Sequence, residues 1–504
     1  IFSSGSAFCL PIQVQVLSNL QGSGKGKSIL ILGAGMAGIS AAFELNKLGY
    51  DVRILEFNDR AGGRSWTLRG GDTYTELGGF TQKVQFREGN YLNPSPWRIP
   101  YHHRTYLHYA RQFGVKLEPF IQVNENAYIH RMPKDGKGNG TKYRIREVRS
   151  DFYGNVAELL SKAINADALK KDLTGNDQDA MIEALSEWGA LDDSARYVKS
   201  LVTSARRGYA VDPGAGTDPG PGTPSDLIPR SELLQGGYWQ GIIEGLLYEH
   251  QQAIFQPVGG MDMTARAFEE RVRPMITYKA HVTGITVKDD GVTATYKDAS
   301  GQDKQVSADY CICTIPLSIL SQLNFQADPE LVKATREIAY AASFKAGLEA
   351  RRFWETEEHI YGGIIYTDSP LATTSYPSTG QNLAETGVIL AAYQFGPEAI
   401  RFSGMSPDDR LKEVRRLYTM IHPQMEKDYL SGASVAWHHV PWTLGCYAPY
   451  TEEQRKGPYA VMSKRHGRIM LAGEHLSYWN GWQEGALLSA MSAIKEIHAA
   501  AQAG

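Results

Sequence analysis

Apolar positions recur along this chain with two different periods, and the switches between them mark its elements. Ser28 to Leu32 is a short unbroken apolar run, as a strand covered on both faces would be. Gly33, Gly35 and Gly38 follow at once. A helix comes next, with Ala41, Leu45 and Leu48 at turn spacing, and then a second strand, Val52 to Leu55, with Glu56 at its end. Further strands are predicted over Thr73 to Thr81, which holds a glycine pair, and over Ala308 to Ile315, Ser343 to Glu349, Gly387 to Tyr393 and Arg468 to Ala472. His281 to Val287 and Val292 to Tyr296 alternate around Asp290-Gly291, a hairpin signal. Ile12 to Leu17 alternates too and offers an edge strand.

Helical spacing predicts helices over His102 to Phe113, Val156 to Ala168, Ala180 to Trp188, Ser194 to Thr203, Ser231 to Gln252, the residues after the PVGGMDM turn, and Arg410 to Ile421. A last helix starts near Gly481, with Ala486, Ala490 and Ile494 in register. The Pro- and Gly-rich stretch 211–229 reads as a loop. The fold class is α/β (α+β overall): a Rossmann-like domain of separated segments, a domain on a mixed sheet, and a helical insertion.

The glycine spacing at 33, 35 and 38 carries the first chemistry. Gly33 permits a sharp turn, Gly35 lets backbone N–H groups approach a pyrophosphate, and Gly38 lets the helix pack close to the strand. The helix N-terminus offers unpaired donors and a positive dipole end. Glu56 lies 21 positions after Gly35, where an acid reaches a ribose hydroxyl. Strand, turn, helix and acid together predict an adenine-dinucleotide site.

Composition narrows the remaining classes. The 504 residues suffice for two or three structural units, and 42% apolar and 21% charged residues suit a soluble globular protein. A net charge of −3 without a long basic run argues against nucleic acid. No apolar run is long enough to cross a membrane, and residues 1–24 show no signal-peptide pattern. The compartment stays open between cytoplasmic and secreted. Four cysteines make no disulfide scaffold. Cys311 and Cys313 would share one buried strand face, and no metal-ligand spacing is visible.

The opening motif by itself serves NAD or FAD. Four distant elements in order decide between them: AGGR (Ala61 to Arg64), PVGGMDM, DYCICTIP, and LAGEHLS followed by GWQEGALLSA. Together they resemble the flavin-containing amine oxidase family, and within it the FAD-dependent L-amino-acid oxidases. The resemblance implies an FAD-binding domain of residues 28–90, 255–325 and 440–504, a substrate-binding domain of 91–150 and 326–439, a helical domain of 151–254 and a leader of 1–27. It also implies a homo-oligomer, taken as a dimer. The activity it implies is oxidative deamination of L-amino acids by hydride transfer to FAD, with O2 as the final acceptor, giving a 2-oxo acid, ammonia and H2O2. Alternatives are an amine or polyamine oxidase, an amino-acid 2-monooxygenase, and a flavin-binding protein without catalysis.

The resemblance also assigns residues. Gly33, Gly35, Met36, Ala37 and Gly38 form the phosphate turn, Glu56 holds the adenosine ribose, Arg64 the pyrophosphate and Val282 the adenine through its backbone. Glu474 faces the ribityl and pyrophosphate portion; Trp97, Arg98, Trp482, Gln483, Glu484, Gly485 and Ala486 surround the flavin end. A helix pointing its positive end there would stabilise the negative charge of reduced flavin. Arg98, in an R-I-P context, binds the substrate carboxylate, as a bidentate arginine can. Tyr393 or Tyr376 gives an aromatic contact, Trp482 an aromatic wall, and the Gly481 carbonyl meets the amine. Lys345 is the catalytic lysine that holds a water beside flavin N5; the other reading is an outward lysine on an alternating strand. His250 is a candidate for deprotonating the amine, or a structural histidine. FAD is expected to bind noncovalently, although Cys446 sits in the G-C-Y context where monoamine oxidases tether it.

Overall fold

A computed structural model describes residues 20–380 and 384–503; the edge strand offered by Ile12 to Leu17 lies outside them. Its first layer is a five-stranded parallel sheet in the order Ile276–Thr277, Asp51–Leu55, Ser28–Leu32, Tyr310–Cys313, Ile469–Leu471. The unbroken apolar run at Ser28–Leu32 follows from this central place, since both faces are covered. Ile29 and Ile31 pack against the helices Met36–Lys47, Met263–Val272 and Gln483–Ala503. Leu30 and Leu32 pack on the opposite side with Val282, Ile285 and the free thiols of Cys311 and Cys313, which share that face as their spacing predicts. Residues 20–27 are more than a leader: Gly24 N donates to Leu48 O at 2.8 Å, and Gln502 Nε2 to Ser23 O at 3.0 Å.

The second layer is a seven-stranded mixed sheet. Its order is Thr141–Arg144, Tyr128–Arg131, Ile364–Thr367, Thr373–Ser375, Thr386–Phe395, Ser343–Arg351, Tyr429–Ala436. Only the pairing of Tyr128–Arg131 with Ile364–Thr367 is parallel. The predicted hairpin forms between His281–Val287 and Val292–Lys297. Thr73 to Thr81 is not one strand but a hairpin of Thr73–Thr75 with Thr81–Lys83; Gly78 and Gly79, both at positive φ, make the turn. That hairpin crosses to the mixed sheet, where the buried Glu76 carboxylate accepts two bonds from buried Arg410, at 2.6 and 2.9 Å. Glu76→Gln strips a buried cation of its counter-charge, so it is expected to cost about 3–5 kcal/mol, read as a lower midpoint in urea unfolding.

The helical insertion follows the predicted spacing in part. Ile145–Asn165 and Gly175–Gly189 are long helices. Ser194 to Thr203 is not helical at its start: Asp192 accepts the N–H groups of Ser194 and Arg196, and the helix Leu201–Arg207 begins only after its N-cap Ser200. Stretch 211–229 is largely irregular, apart from a short pairing of Tyr209–Val211 with Thr223–Pro224. Ser231 to Gln252 does not form one helix. Gly236 and Gly237, the latter at φ +65°, interrupt it after Arg230–Gln235. Short turns over 240–250 then aim their side chains at the site described next.

Candidate active site

The carboxyl ends of the parallel strands open on a cavity of about 1040 Å³, whose far wall is the mixed sheet. Gly33, Glu56, Thr314 and Gly473 lie where four parallel strands end, and Tyr366, Thr373, Tyr393 and Phe395 come from the other sheet. This is the crevice where open α/β sheets take ligands.

The three glycines differ in their surroundings as their tasks require. Gly33 has φ +98°, and a Cβ there would sit 2.7 Å from Thr314 Oγ1. A Cβ on Gly38 would lie 1.9 Å from Gly33 O, so this glycine closes the helix onto the strand and does not line the cavity. Gly35 has an ordinary φ of −68°, and no atom lies within 4 Å of its Cβ position. The space a side chain would fill there opens into the cavity, beside Met36, Ala37 and the start of a helix without a side-chain cap. Glu56 also lines the cavity; it accepts from Ala34 N at 2.7 Å and from Asn58 N and Nδ2 at 2.8 Å. Burial pushes its carboxyl up, opposed by those bonds. Val282 lies at a bulge of its strand and borders the same end.

Glu474 joins this end to the next. Its Oε1 accepts from Arg64 Nη1 at 2.7 Å, and its Oε2 from Gly481 N at 2.9 Å. Arg64 also donates to the carbonyl of Cys446 at 2.6 Å. Gly481 turns at φ +79° before the helix Gln483–Ala503, so that helix starts two residues later than expected. Gln483 and Ala486 stand on the cavity wall, and buried Gln483 Oε1 has no hydrogen-bond partner. The open cradle at Gly35, the acid at Glu56 and this orphaned oxygen fit an FAD laid from the glycine turn to Trp482.

Beyond Trp482 the cavity changes character. The Arg98 guanidinium lies 4.8 Å from the Trp97 ring centre and 5.6 Å from that of Trp482. Tyr393 meets Trp97 edge-on at 5.7 Å. Burial pulls the Arg98 pKa down, while Tyr393, Tyr366, Glu244 and Glu249 work to raise it. Arg98 Nη2 is 2.5 Å from His250 Nε2. Arginine has no acceptor, so Nε2 carries no proton, and Nδ1–H faces the Glu244 carbonyl and carboxylate, each at 3.2 Å. His250 therefore holds Arg98 in place; its free lone pair is already used.

Four assigned residues stand elsewhere. Lys345 is neither outward nor on the cavity wall. It is 1% exposed, and its Nζ donates to Ser95 O at 2.7 Å above the Tyr393 ring at 4.1 Å. The segment leading to Trp97 covers it, and burial brings its pKa down to about 7. Glu484 turns away to accept from Thr105 N and Tyr106 N, at 3.0 and 2.8 Å, at the start of the helix Arg104–Gln112. Gly485 is packed so tightly that a Cβ would meet Trp479 O at 2.1 Å. Tyr376 is buried away from this cavity, with its hydroxyl 2.6 Å from His422 Nε2, which leaves Tyr393 as the wall aromatic. Gln122, Tyr366, Glu244 and Glu249 also line the wall; no local sequence pattern marks them, since they come from three unrelated segments.

Parallel sheet, glycine cradle and paired aromatic walls around a half-buried arginine suit a dinucleotide-dependent oxidoreductase that acts on a small molecule. The chain belongs to the flavin-containing amine oxidoreductase family, whose model matches residues 36–498. Over 96% of its length it is 25% identical to L-amino acid oxidase Bs29 of Bothriechis schlegelii, covering 93% of that protein. It is 26% identical to a putative L-amino-acid oxidase of Bacillus subtilis, covering 96% of this chain and 98% of that protein. A structure of wild-type putrescine oxidase bound to putrescine shares the fold, with a TM-score of 0.57 at 16% identity, over 95% of this chain and 98% of that one. FAD is the cofactor. Among the described residues no helix is long and apolar enough to cross a membrane, and no group of three or more His, Cys, Asp or Glu side chains is placed to hold a metal.

Cys446 lines the cavity, and burial pushes its thiol up. A thiol held protonated is a poor nucleophile. Acid precipitation of the purified protein is therefore expected to leave a colourless pellet and a yellow supernatant.

Proposed function

We propose that this enzyme oxidatively deaminates L-amino acids, giving a 2-oxo acid, ammonia and H2O2. The observation that carries the reading is Arg98: a half-buried guanidinium held between Trp97 and Trp482, in the same cavity as Gly481 and the flavin end. An amine needs no such group, whereas an α-carboxylate does. FAD supplies the hydride acceptor and returns the electrons to O2. The protein's share is alignment. Arg98 fixes the carboxylate, Trp482 and Tyr393 confine Cα from two sides, and the Gly481 carbonyl accepts a hydrogen bond from the amine. Such positioning replaces a strong acid or base in hydride transfer. The L preference is carried over from the relatives named above.

The test is a peroxide-coupled screen of L- and D-amino acids and of simple amines, with product analysis. L-amino acids are expected to bleach the flavin anaerobically and, in air, to yield ammonia and 2-oxo acid in equal amounts. Turnover of amines alone would sink the reading. An amide product would replace it with a 2-monooxygenase, and flavin bleached by none of these compounds would point to a protein without catalysis.

A further inference from the structure

The wall facing Arg98 holds more negative charge than an α-amino acid with a neutral side chain can balance. On the cavity surface beyond Trp482 the charged side chains are Arg98, Glu244 and Glu249. A substrate carboxylate on Arg98 uses up that cation. The two glutamates then face the open part of the cavity with no cation opposite, an arrangement that favours a positively charged group there. His250, engaged at Nε2 by Arg98, stands with Nδ1 3.2 Å from the Glu244 carboxylate.

A second observation stands apart from the acids. Gln122 is 1% exposed, lines the same wall, and its Oε1 has no hydrogen-bond partner; the buried hydroxyl of Tyr366 beside it has none either. An amide oxygen is an acceptor only. Left unmatched, a buried polar atom costs about 1–3 kcal/mol, so this oxygen takes its hydrogen from the adjacent Tyr366 hydroxyl or from a donor on the bound molecule. Carboxylates and unpaired acceptors on one wall describe a seat for a group rich in N–H and positively charged.

We infer that the preferred substrates are L-amino acids whose side chain ends in an ammonium or guanidinium group, received by Glu244 and Glu249 with Gln122 Oε1 and Tyr366 Oη. The inference rests on the amino-acid oxidase reading above. It assigns side-chain choice to the helical insertion: Gly236-Gly237 break its predicted helix and so bring 244–250 to the wall. A diamine carries the same distal cation but offers Arg98 nothing.

The experiment compares matched pairs on the holoenzyme: L-lysine with L-norleucine, which lacks only its terminal ammonium, L-arginine with its isostere L-citrulline, and L-lysine with cadaverine, its decarboxylated form. The cationic amino acid is expected to exceed its neutral partner in kcat/KM by about tenfold or more, the worth of one hydrogen bond to a charged group. Glu249→Gln is expected to pull that ratio towards one, and Glu244→Gln to do so further. Since Glu244→Gln also disturbs His250, the Glu249→Gln ratio is the cleaner reading. If L-norleucine and L-citrulline match or exceed their charged partners, the inference falls while the amino-acid oxidase reading stands. Turnover of cadaverine with none of the amino acids overturns both. A ratio unmoved in both variants removes the glutamates from the seat.

Discussion

Replacing Arg98 by leucine is expected to lower kcat/KM for L-amino acids by about 100- to 1000-fold, or roughly 3–4 kcal/mol, with the flavin still bound. Two charge-assisted hydrogen bonds to a carboxylate are lost, each worth about 1.5–3 kcal/mol. The carboxylate would then enter a pocket holding Glu244 and Glu249 with no cation to meet it. Orientation suffers as well: without the bidentate anchor, Cα is no longer fixed against Trp482, so kcat should fall along with the rise in KM. Arg98 makes no hydrogen bond to the glycine turn or to Glu56, so the visible flavin spectrum should persist. The sharper readout is the ratio of an amino acid to its decarboxylated amine, which should drop by the same factor. Unchanged steady-state kinetics would remove Arg98 from the site and the amino-acid reading with it.

Gly35→Val is expected to yield a folded but colourless protein. Most glycine substitutions confound strain with function, because the residue sits at positive φ or against a neighbour; Gly33 and Gly38 are of that kind. Gly35 is of neither kind: its φ is −68°, and a Cβ there meets nothing within 4 Å outside its own chain neighbours and helix backbone. The new methyl groups occupy only the space through which the pyrophosphate approaches the helix N-terminus. Flavin affinity should fall by at least ~100-fold, about 2.7 kcal/mol. The melting temperature of the apoprotein should match that of wild-type apoprotein. A yellow variant would mean that the phosphates do not pass this residue.

How far the sequence announced all this depends on the range of the signal. The Ser28–Glu56 unit was legible because every part of it is local: a strand, three glycines at fixed offsets and an acid at the next strand end. Its glycine roles agree with the backbone geometry. Arg98 was legible through its R-I-P context and Glu474 through the Gly-Glu pair, again short-range marks. Lys345 shows the limit. Alternation suggests an outward side chain and the family resemblance a water-holding one, and neither takes account of what covers the strand. What decides its surroundings is the Ser95 carbonyl, some 250 positions earlier in the chain. Glu484 failed for the same reason, since the amides it caps belong to residues 105 and 106. The broken helix after Ser231 was hidden because its apolar spacing outlasts the glycine pair that ends it. Gln122, Tyr366 and Glu249 carry no pattern at all; only tertiary folding puts them on one wall.

Glu474 has a consequence beyond its two bonds. One of its oxygens holds Arg64, at the glycine-turn end of the cavity, and the other holds the Gly481 turn, whose carbonyl receives the amine under the proposed function. Cofactor and substrate therefore draw on a single carboxylate, so their binding forms one linked equilibrium. Whatever factor the flavin adds to substrate affinity, the substrate must return to flavin affinity. If bound flavin raises substrate affinity, saturating substrate slows flavin loss by the same factor; if it lowers it, substrate speeds that loss.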